Sequence, residues 1–134
     1  MLEFVVGLMM MPTFNSALLT VPIVHATELT NQDLIVIATD AAERYGLHKE
    51  RFLKTFQCEV KTLEDGTWDY KAQSDHHYKG VREDSWGMWQ INLYWNPTVT
   101  KEQAQDPWWS TEWSAQEWSK GNAWKWACWH LLSS

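Results

Sequence analysis

The sequence predicts one α+β domain that is mainly α-helical and carries a small β-hairpin region. Apolar residues recur at helical spacing in four segments, and capping residues, proline or glycine mark their ends. Residues 61–84 instead contain many turn-forming residues and one short alternating stretch. With 134 residues, of which 45% are hydrophobic, the chain is long enough to bury one core.

The first two helices are predicted from their capping signals. Thr30 and Asp33 have the spacing of a capping box, and Gly46 is a natural stop for the helix that follows them. A second helix is predicted from about His48 to Glu59. Both helices should belong to the core.

Glu59 ends the second helix on the apolar stripe that carries Phe52 and Phe56. Burial disfavours a charged carboxylate, and the negative end of the helix dipole acts in the same direction. Both effects raise the pKa of Glu59, as a general acid near neutral pH requires. The alternative is a solvated glutamate at a frayed helix end.

The residue pattern after the second helix predicts a short strand or a hairpin. Trp68, Tyr70 and Ala72 alternate with polar residues, which favours a short strand. His76 and His77 are potential metal ligands, but adjacent histidines project in different directions and no partner lies at zinc spacing. We therefore expect no metal site and no cofactor.

The last third of the chain predicts further helices. Capping-box spacing starts a short helical turn at Thr100, and Asp106 before Pro107 predicts the cap of a longer helix. This helix should end near Lys120, and a final helix is predicted over residues 123–130.

Tryptophan is the compositional outlier, with eleven residues, all from Trp68 onward. Large aromatic side chains build cores, and at a surface they stack on sugars or bases. The net charge of −6 and the lack of Lys and Arg clusters argue against nucleic-acid binding. Most of the tryptophans should lie in the core. For those of the helix after Asp106 the core is also expected, and a place along a sugar-binding groove is the alternative.

Residues 1–27 are predicted to be a signal peptide or N-terminal extension, followed by a domain at residues 28–134. Residues 4–27 carry no Lys, Arg, Asp or Glu, and residues 24–26 resemble a small-residue cleavage site. Prolines and an asparagine interrupt the apolar runs, so a membrane-spanning helix is the weaker hypothesis. We expect an exported protein.

The two cysteines, Cys58 and Cys128, are candidates for a disulfide. Cys128 shares a helical stripe with Trp124 and Leu131 and should face inward. A bridge would pin the helix that ends at Glu59 to the last helix. Two reduced, buried thiols are the alternative, and the predicted export favours the bridge.

Three sequence blocks together resemble the lysozyme-like superfamily, in its soluble lytic transglycosylase and goose-type branch. They are Ala-Glu-Arg-Tyr-Gly-Leu at 42–47, Phe-Gln-Cys-Glu at 56–59 and Ser-Trp-Gly-Met-Trp-Gln-Ile at 85–91. The resemblance implies a lysozyme-like fold with the hairpin region beside a cleft. It places Glu59 where the family carries its single catalytic glutamate, with the third block on the opposite wall.

The resemblance also implies cleavage of the β-1,4 bond between N-acetylmuramic acid (MurNAc) and N-acetylglucosamine (GlcNAc). Glu59 would protonate the glycosidic oxygen and then deprotonate the muramyl 6-hydroxyl, giving 1,6-anhydro products. The partner would be peptidoglycan glycan strands, and we expect a monomer. The substrate-binding residues implied are Gln90, Trp89, Trp86, Gly87 and Ser85. Gln90 could instead be a structural amide, and one of the two tryptophans is expected in the core.

Two other functions remain open. Hydrolysis, as in a lysozyme, needs a second carboxylate, for which Asp75, Glu83 and Asp84 are candidates. Ser85 stands where animal-type lysozymes present that group, and a one-residue displacement on a strand turns Asp84 to the opposite face. A non-catalytic glycan-binding or structural module is the other alternative, because Val60 replaces the family's usual serine.

Overall fold

The computed structural model describes residues 28–133 as an α+β domain, about half of it helical, which confirms the predicted α+β class. The helices are α1 (Asn31–Arg44), α2 (Lys49–Glu59), α3 (Lys101–Gln105), α4 (Pro107–Ser119) and α5 (Ala127–Ser133), with a 3₁₀ turn at Ala123–Lys125. Three antiparallel pairs join β1 (Lys61–Thr62) to β2 (Trp68–Asp69), β3 (His77–Tyr78) to β4 (Val81–Arg82), and β5 (Ser85–Trp86) to β6 (Ile91–Asn92). The predicted signal peptide at residues 1–27 lies outside the described residues.

The predicted capping signals start the helices as expected. The Thr30 hydroxyl accepts the Asp33 N–H at 3.1 Å, and the Asp33 carboxylate accepts the Thr30 N–H at 2.8 Å. Thr100 and Gln103 form the same reciprocal pair at the start of α3. The Asp106 carboxylate accepts two backbone N–H groups of α4. These bonds satisfy donors that a helix start otherwise leaves free.

The hairpin is shorter than its alternation predicts. Trp68 lies in β2, but Tyr70 and Ala72 lie beyond it. The chain turns because the Asp69 carboxylate accepts the Lys71 N–H at 3.1 Å, and the Asp69 carbonyl accepts the Ala72 N–H. Such a local side-chain bond competes with the strand ladder.

The predicted last helix is interrupted at Trp126, whose backbone is extended with φ −96° and ψ 127°. Its indole is buried and donates a 2.8 Å hydrogen bond to the Trp89 carbonyl. A buried indole N–H needs an acceptor. The extended residue at this point separates the 3₁₀ turn from α5.

The core is built around Trp89, which is fully buried. The rings of Phe52 and Phe56 from α2 lie 4.5 and 5.7 Å from it, and the Trp126 ring lies at 6.0 Å. The Trp89 indole N–H donates to the Thr111 hydroxyl of α4 at 2.8 Å. One side chain therefore joins α2, α4 and the segment before α5.

Arg44 and Tyr45 fix the end of α1 to α4 through Glu112. The Arg44 guanidinium reaches the two Glu112 oxygens at 2.8 and 3.3 Å, and the Tyr45 hydroxyl donates to the same carboxylate. These hydrogen bonds, that of Arg44 first, lower the pKa of Glu112. A forked pair of this kind also fixes direction, since both oxygens are engaged.

Cys58 and Cys128 form a disulfide with a Cα–Cα distance of 6.0 Å, which confirms the predicted bridge. It joins α2 to α5 across 70 positions of sequence. Disulfides persist mainly in oxidising compartments. None of the helices between residues 28 and 133 has the length and apolar character needed to cross a membrane.

Gly87 allows α3 to approach the connection between β5 and β6. Its φ is +85°, and a Cβ added there would lie 1.9 Å from the Ala104 carbonyl oxygen. Ala104 is itself fully buried. Both the backbone conformation and the close approach therefore require glycine.

Reducing the disulfide should lower the free energy of unfolding by about 4 kcal/mol, because the bridge closes a long loop in the unfolded chain. Denaturant unfolding with and without reductant measures the difference. The Cys58→Ser/Cys128→Ser double variant is the control, and its unfolding should not respond to reductant. Equal midpoints for oxidised and reduced wild type would contradict the expectation.

Gly87→Ala should destabilise the protein more than Gly66→Ala. Gly66 has a similar φ of +89° but open space around it, so its substitution reports backbone strain alone. That strain is about 1–2 kcal/mol for an L-residue. Thermal unfolding of both variants measures the difference, and equal losses would show that contact with Ala104 is unimportant.

Candidate functional site

A cleft of about 630 Å³ opens beside the C-terminal end of α2. Glu59 lies in it, and one wall comes from the region between Ser74 and Asn96. The other wall comes from Trp113 and residues 124–127. A concave site of this size can hold a ligand through a few polar groups and aromatic faces.

Glu59 is partly buried at the end of α2, and its Oε2 accepts the Cys128 backbone N–H at 3.0 Å. Burial raises the pKa of Glu59 to about 7; the hydrogen bond from Cys128 lowers it and the negative charge of Glu83 raises it. Burial is thus the main cause, in the direction that the apolar stripe predicts. A carboxyl group with this pKa can both donate and accept a proton near neutrality.

The disulfide supports the environment of Glu59 directly. Cys58 precedes Glu59 in α2, and its partner Cys128 supplies the N–H that Glu59 accepts. The covalent bond therefore holds α5, and the donor on it, against the end of α2. A rigid supporting shell of this kind keeps a functional group in one position.

Glu83 lies in the same cleft and, together with Asp84, forms the two-residue connection between β4 and β5. Its Oε1 accepts the Ser74 hydroxyl at 3.1 Å, and its Oε2 accepts the Asn92 amide at 3.2 Å. Gln73 donates to its backbone carbonyl at 3.0 Å. Side chain and main chain are thus both held, and the two cleft carboxylates interact electrostatically.

Exposed aromatic rings form part of both walls. The Trp95 side chain is 75% exposed and packs edge-on against Tyr94 at 4.7 Å, while Trp124 is 56% exposed. Trp113, of intermediate exposure, also lines the cleft. Large exposed rings in a cleft offer flat apolar faces with a polar edge, which suits sugar rings.

The sequence does not predict Trp95 or Trp124 at a binding site. The helical stripe shared with Cys128 predicts an inward-facing Trp124, which is wrong, because Trp124 lies in the 3₁₀ turn and is exposed. Trp95 lies in the turn after β6, outside any stripe or alternating pattern. For Trp95 that position is the available signal, because an aromatic residue outside any periodic segment has no predicted place in the core.

Neither predicted tryptophan platform lies in the cleft. Trp89 is fully buried, so it cannot stack on a ligand and is the one of the two tryptophans that lies in the core. Trp86 is half-buried outside the cleft lining, where its indole donates to Asp84 at 2.6 Å and Lys101 lies 4.7 Å from its ring. The second-carboxylate candidate Asp84 is therefore also outside the cleft.

Gln90 lines the cleft, while Ser85 and Gly87 are buried behind it. The Gln90 amide nitrogen donates to the Ala72 and Gly87 carbonyls at 3.1 and 2.9 Å, which is the structural role left open above. Its φ of +49° is unusual for a residue other than glycine. Such backbone strain often accompanies functional sites.

Asp75, the other predicted candidate for a second carboxylate, lies outside the cleft lining and is exposed. It contacts Lys61 at 3.0 Å and Arg82 at 3.3 Å, and the bond with Lys61 is the main cause of its lowered pKa. Within residues 28–133, no three His, Cys, Asp or Glu side chains are arranged to hold a metal ion.

The chain matches no protein-family model, no curated protein and no solved structure. The fold class and the cleft therefore rest on the structure itself. The lysozyme-like resemblance rests on the three sequence blocks.

Glu59→Gln should stabilise the protein at about pH 8 and have little effect at about pH 4, as pKa linkage requires. The folded protein holds this proton with a pKa of about 7, against an ordinary value of 4.5. Stability should therefore fall as pH rises through that interval, by up to about 3 kcal/mol. The amide avoids that loss because it stays neutral.

Denaturant unfolding at both pH values measures the effect of this substitution. Glu64→Gln is the matched control, because it removes the same charge from an exposed position. An equal change in stability at both pH values would show that Glu59 does not titrate as described.

Proposed function

We propose that this protein cleaves the MurNAc–GlcNAc bond of peptidoglycan, with Glu59 as the general acid. The observation that carries the proposal is a carboxyl group with a pKa of about 7 in a cleft with exposed tryptophans. Such a group is partly protonated near neutral pH and can donate to a glycosidic oxygen. The three sequence blocks support peptidoglycan as the substrate class.

In the proposed reaction, Glu59 donates its proton as the bond between muramyl C1 and the leaving oxygen breaks. The positive charge left at C1 is stabilised by the substrate's own acetamido group. Trp95 and Trp124 hold neighbouring sugar rings by stacking. The ionised Glu59 is then able to take a proton from the incoming hydroxyl group.

Two routes can complete this reaction. In a lytic transglycosylase the muramyl 6-hydroxyl attacks C1, and its tether gives a high effective concentration. This route, which gives 1,6-anhydro ends, is the one that the resemblance implies. In a lysozyme water attacks, which needs a second carboxylate with room for that water. Hydrolysis is the second candidate because Glu83 lies in the cleft with Glu59.

The proposed place of action is outside the cytoplasm, where peptidoglycan lies. The Cys58–Cys128 disulfide supports an exported protein because thiols stay reduced in most cytosols. The protein would act there as a monomer on glycan strands. A non-catalytic glycan-binding module would use the same exposed tryptophans without chemistry at Glu59.

Glu59→Gln should abolish the release of muropeptides from purified peptidoglycan while leaving the fold and glycan binding intact. The amide has the same size but cannot exchange a proton, and losing a general acid–base group typically costs about 10²–10⁴-fold in rate. Loss of turbidity and the masses of released fragments report cleavage, and sedimentation with insoluble peptidoglycan reports binding.

The control for that experiment is again Glu64→Gln, which should cleave like the wild type. Full activity of Glu59→Gln would remove Glu59 from the proposed role. Binding of wild type to peptidoglycan with no cleavage would identify a glycan-binding module instead.

A further inference from the structure

We propose that Glu83 is a second catalytic carboxylate, which activates water and makes hydrolysis the main outcome. This inference rests on the proposed cleavage reaction with Glu59 as the acid. Under this proposal, the Glu83 side chain determines whether water or the muramyl 6-hydroxyl attacks C1.

The hydrogen bonds of Glu83 orient its carboxylate and leave it able to bind a water molecule. Ser74 donates to one oxygen at 3.1 Å and Asn92 donates to the other at 3.2 Å. An ionised carboxylate has about four acceptor sites, so one bond to each oxygen leaves capacity for a water molecule. Because both partners are neutral, they orient the carboxylate without cancelling its charge.

The charges around the cleft favour the same role. Among the lining side chains of residues 28–133, Glu59 and Glu83 are the acids and Lys125 is the cation. Lys125 lies 2.7 Å from Glu117, so its charge is already engaged. The negative charge of Glu83 is felt at Glu59 and favours its protonated form. The presence of Glu83 in the cleft therefore helps to keep the proton on Glu59, the proposed acid.

The proposed hydrolysis balances in atoms and protons. Glu59 gives its proton to the leaving GlcNAc O4 as the C1–O4 bond breaks. A water molecule held by Glu83 then forms the new C1–O bond, and its proton passes to the Glu83 carboxylate. One water is consumed, and solvent returns the proton from Glu83 to Glu59. Without this base, the tethered 6-hydroxyl captures C1 instead.

Glu83→Gln tests this role through the products rather than through the rate alone. Purified peptidoglycan is digested in water enriched in oxygen-18, and the masses of the muropeptides are measured by mass spectrometry. Wild type should give mainly reducing ends that carry one heavy oxygen. The variant should give mainly 1,6-anhydro ends, and the ratio of reducing to anhydro ends should fall about 100-fold, the lower range for a positioned base.

Asp84→Asn is the matched control, because it removes the same charge one residue along and outside the cleft. Its product ratio should equal that of wild type. Ser74→Ala is a second test that keeps the Glu83 carboxylate but removes one orienting bond. It should shift the ratio in the same direction by a smaller factor, and it decides the question if Glu83→Gln does not fold.

Five outcomes would overturn the role of Glu83. Two concern the wild type and the control: mainly anhydro ends from the wild type, or an equal shift of the ratio in Asp84→Asn. Two concern folded Glu83→Gln: an unchanged ratio, or loss of both products. The fifth is an unchanged ratio in Ser74→Ala when Glu83→Gln is unfolded. Failure of the wild type to release any muropeptide would instead refute the proposed function, so the two failures are distinguishable.

Discussion

The buried indole of Trp89 is the contact on which the rest of the domain depends. The indole packs against Phe52 and Phe56 of α2, and its N–H donates to Thr111 of α4. The backbone carbonyl of Trp89 accepts the indole N–H of Trp126. The two helices and the segment before α5 are therefore positioned by one residue. Removing a large aromatic side chain from a core typically costs about 3–5 kcal/mol. The cleft depends on this contact because α2 and the segment around Trp126 contribute to its walls.

Glu59 shows how the same packing creates a reactive group. Its position on the stripe of Phe52 and Phe56 partly withdraws it from water, so its proton is held to about pH 7. The hydrogen bond from Cys128 acts against this shift, yet it also fixes the carboxyl group in place. The burial that makes Glu59 reactive therefore lowers the stability of the fold when Glu59 is ionised. The disulfide at the preceding residue stabilises the structure at the same place.

Much of the local structure could be predicted from the sequence, because each signal depends on a few adjacent residues. The capping boxes at Thr30 and Thr100 and the end of α2 at Glu59 are of this kind. The pairing of Cys58 with Cys128 is instead predicted from the presence of two cysteines and from the expected export. The walls of the cleft were harder to predict. Glu83, rather than Asp84 or Asp75, lies in the cleft because it is held from distant positions by Ser74 and Asn92. Which of Trp86 and Trp89 enters the core could not be predicted, because left-handed residues at Gly87 and Gln90 interrupt any simple alternation through this segment.

The disulfide also has a consequence for the order of events in the cell. During synthesis Cys58 emerges 70 residues before its partner, so the link between α2 and α5 forms only after most of the chain has been made. In a reducing compartment the two thiols remain unbonded, and no covalent bond holds the Cys128 N–H against Glu59. The cleft with its disulfide formed is therefore completed only late in synthesis and in an oxidising environment. For a protein proposed to cut cell wall, this timing separates the place of synthesis from the place of action.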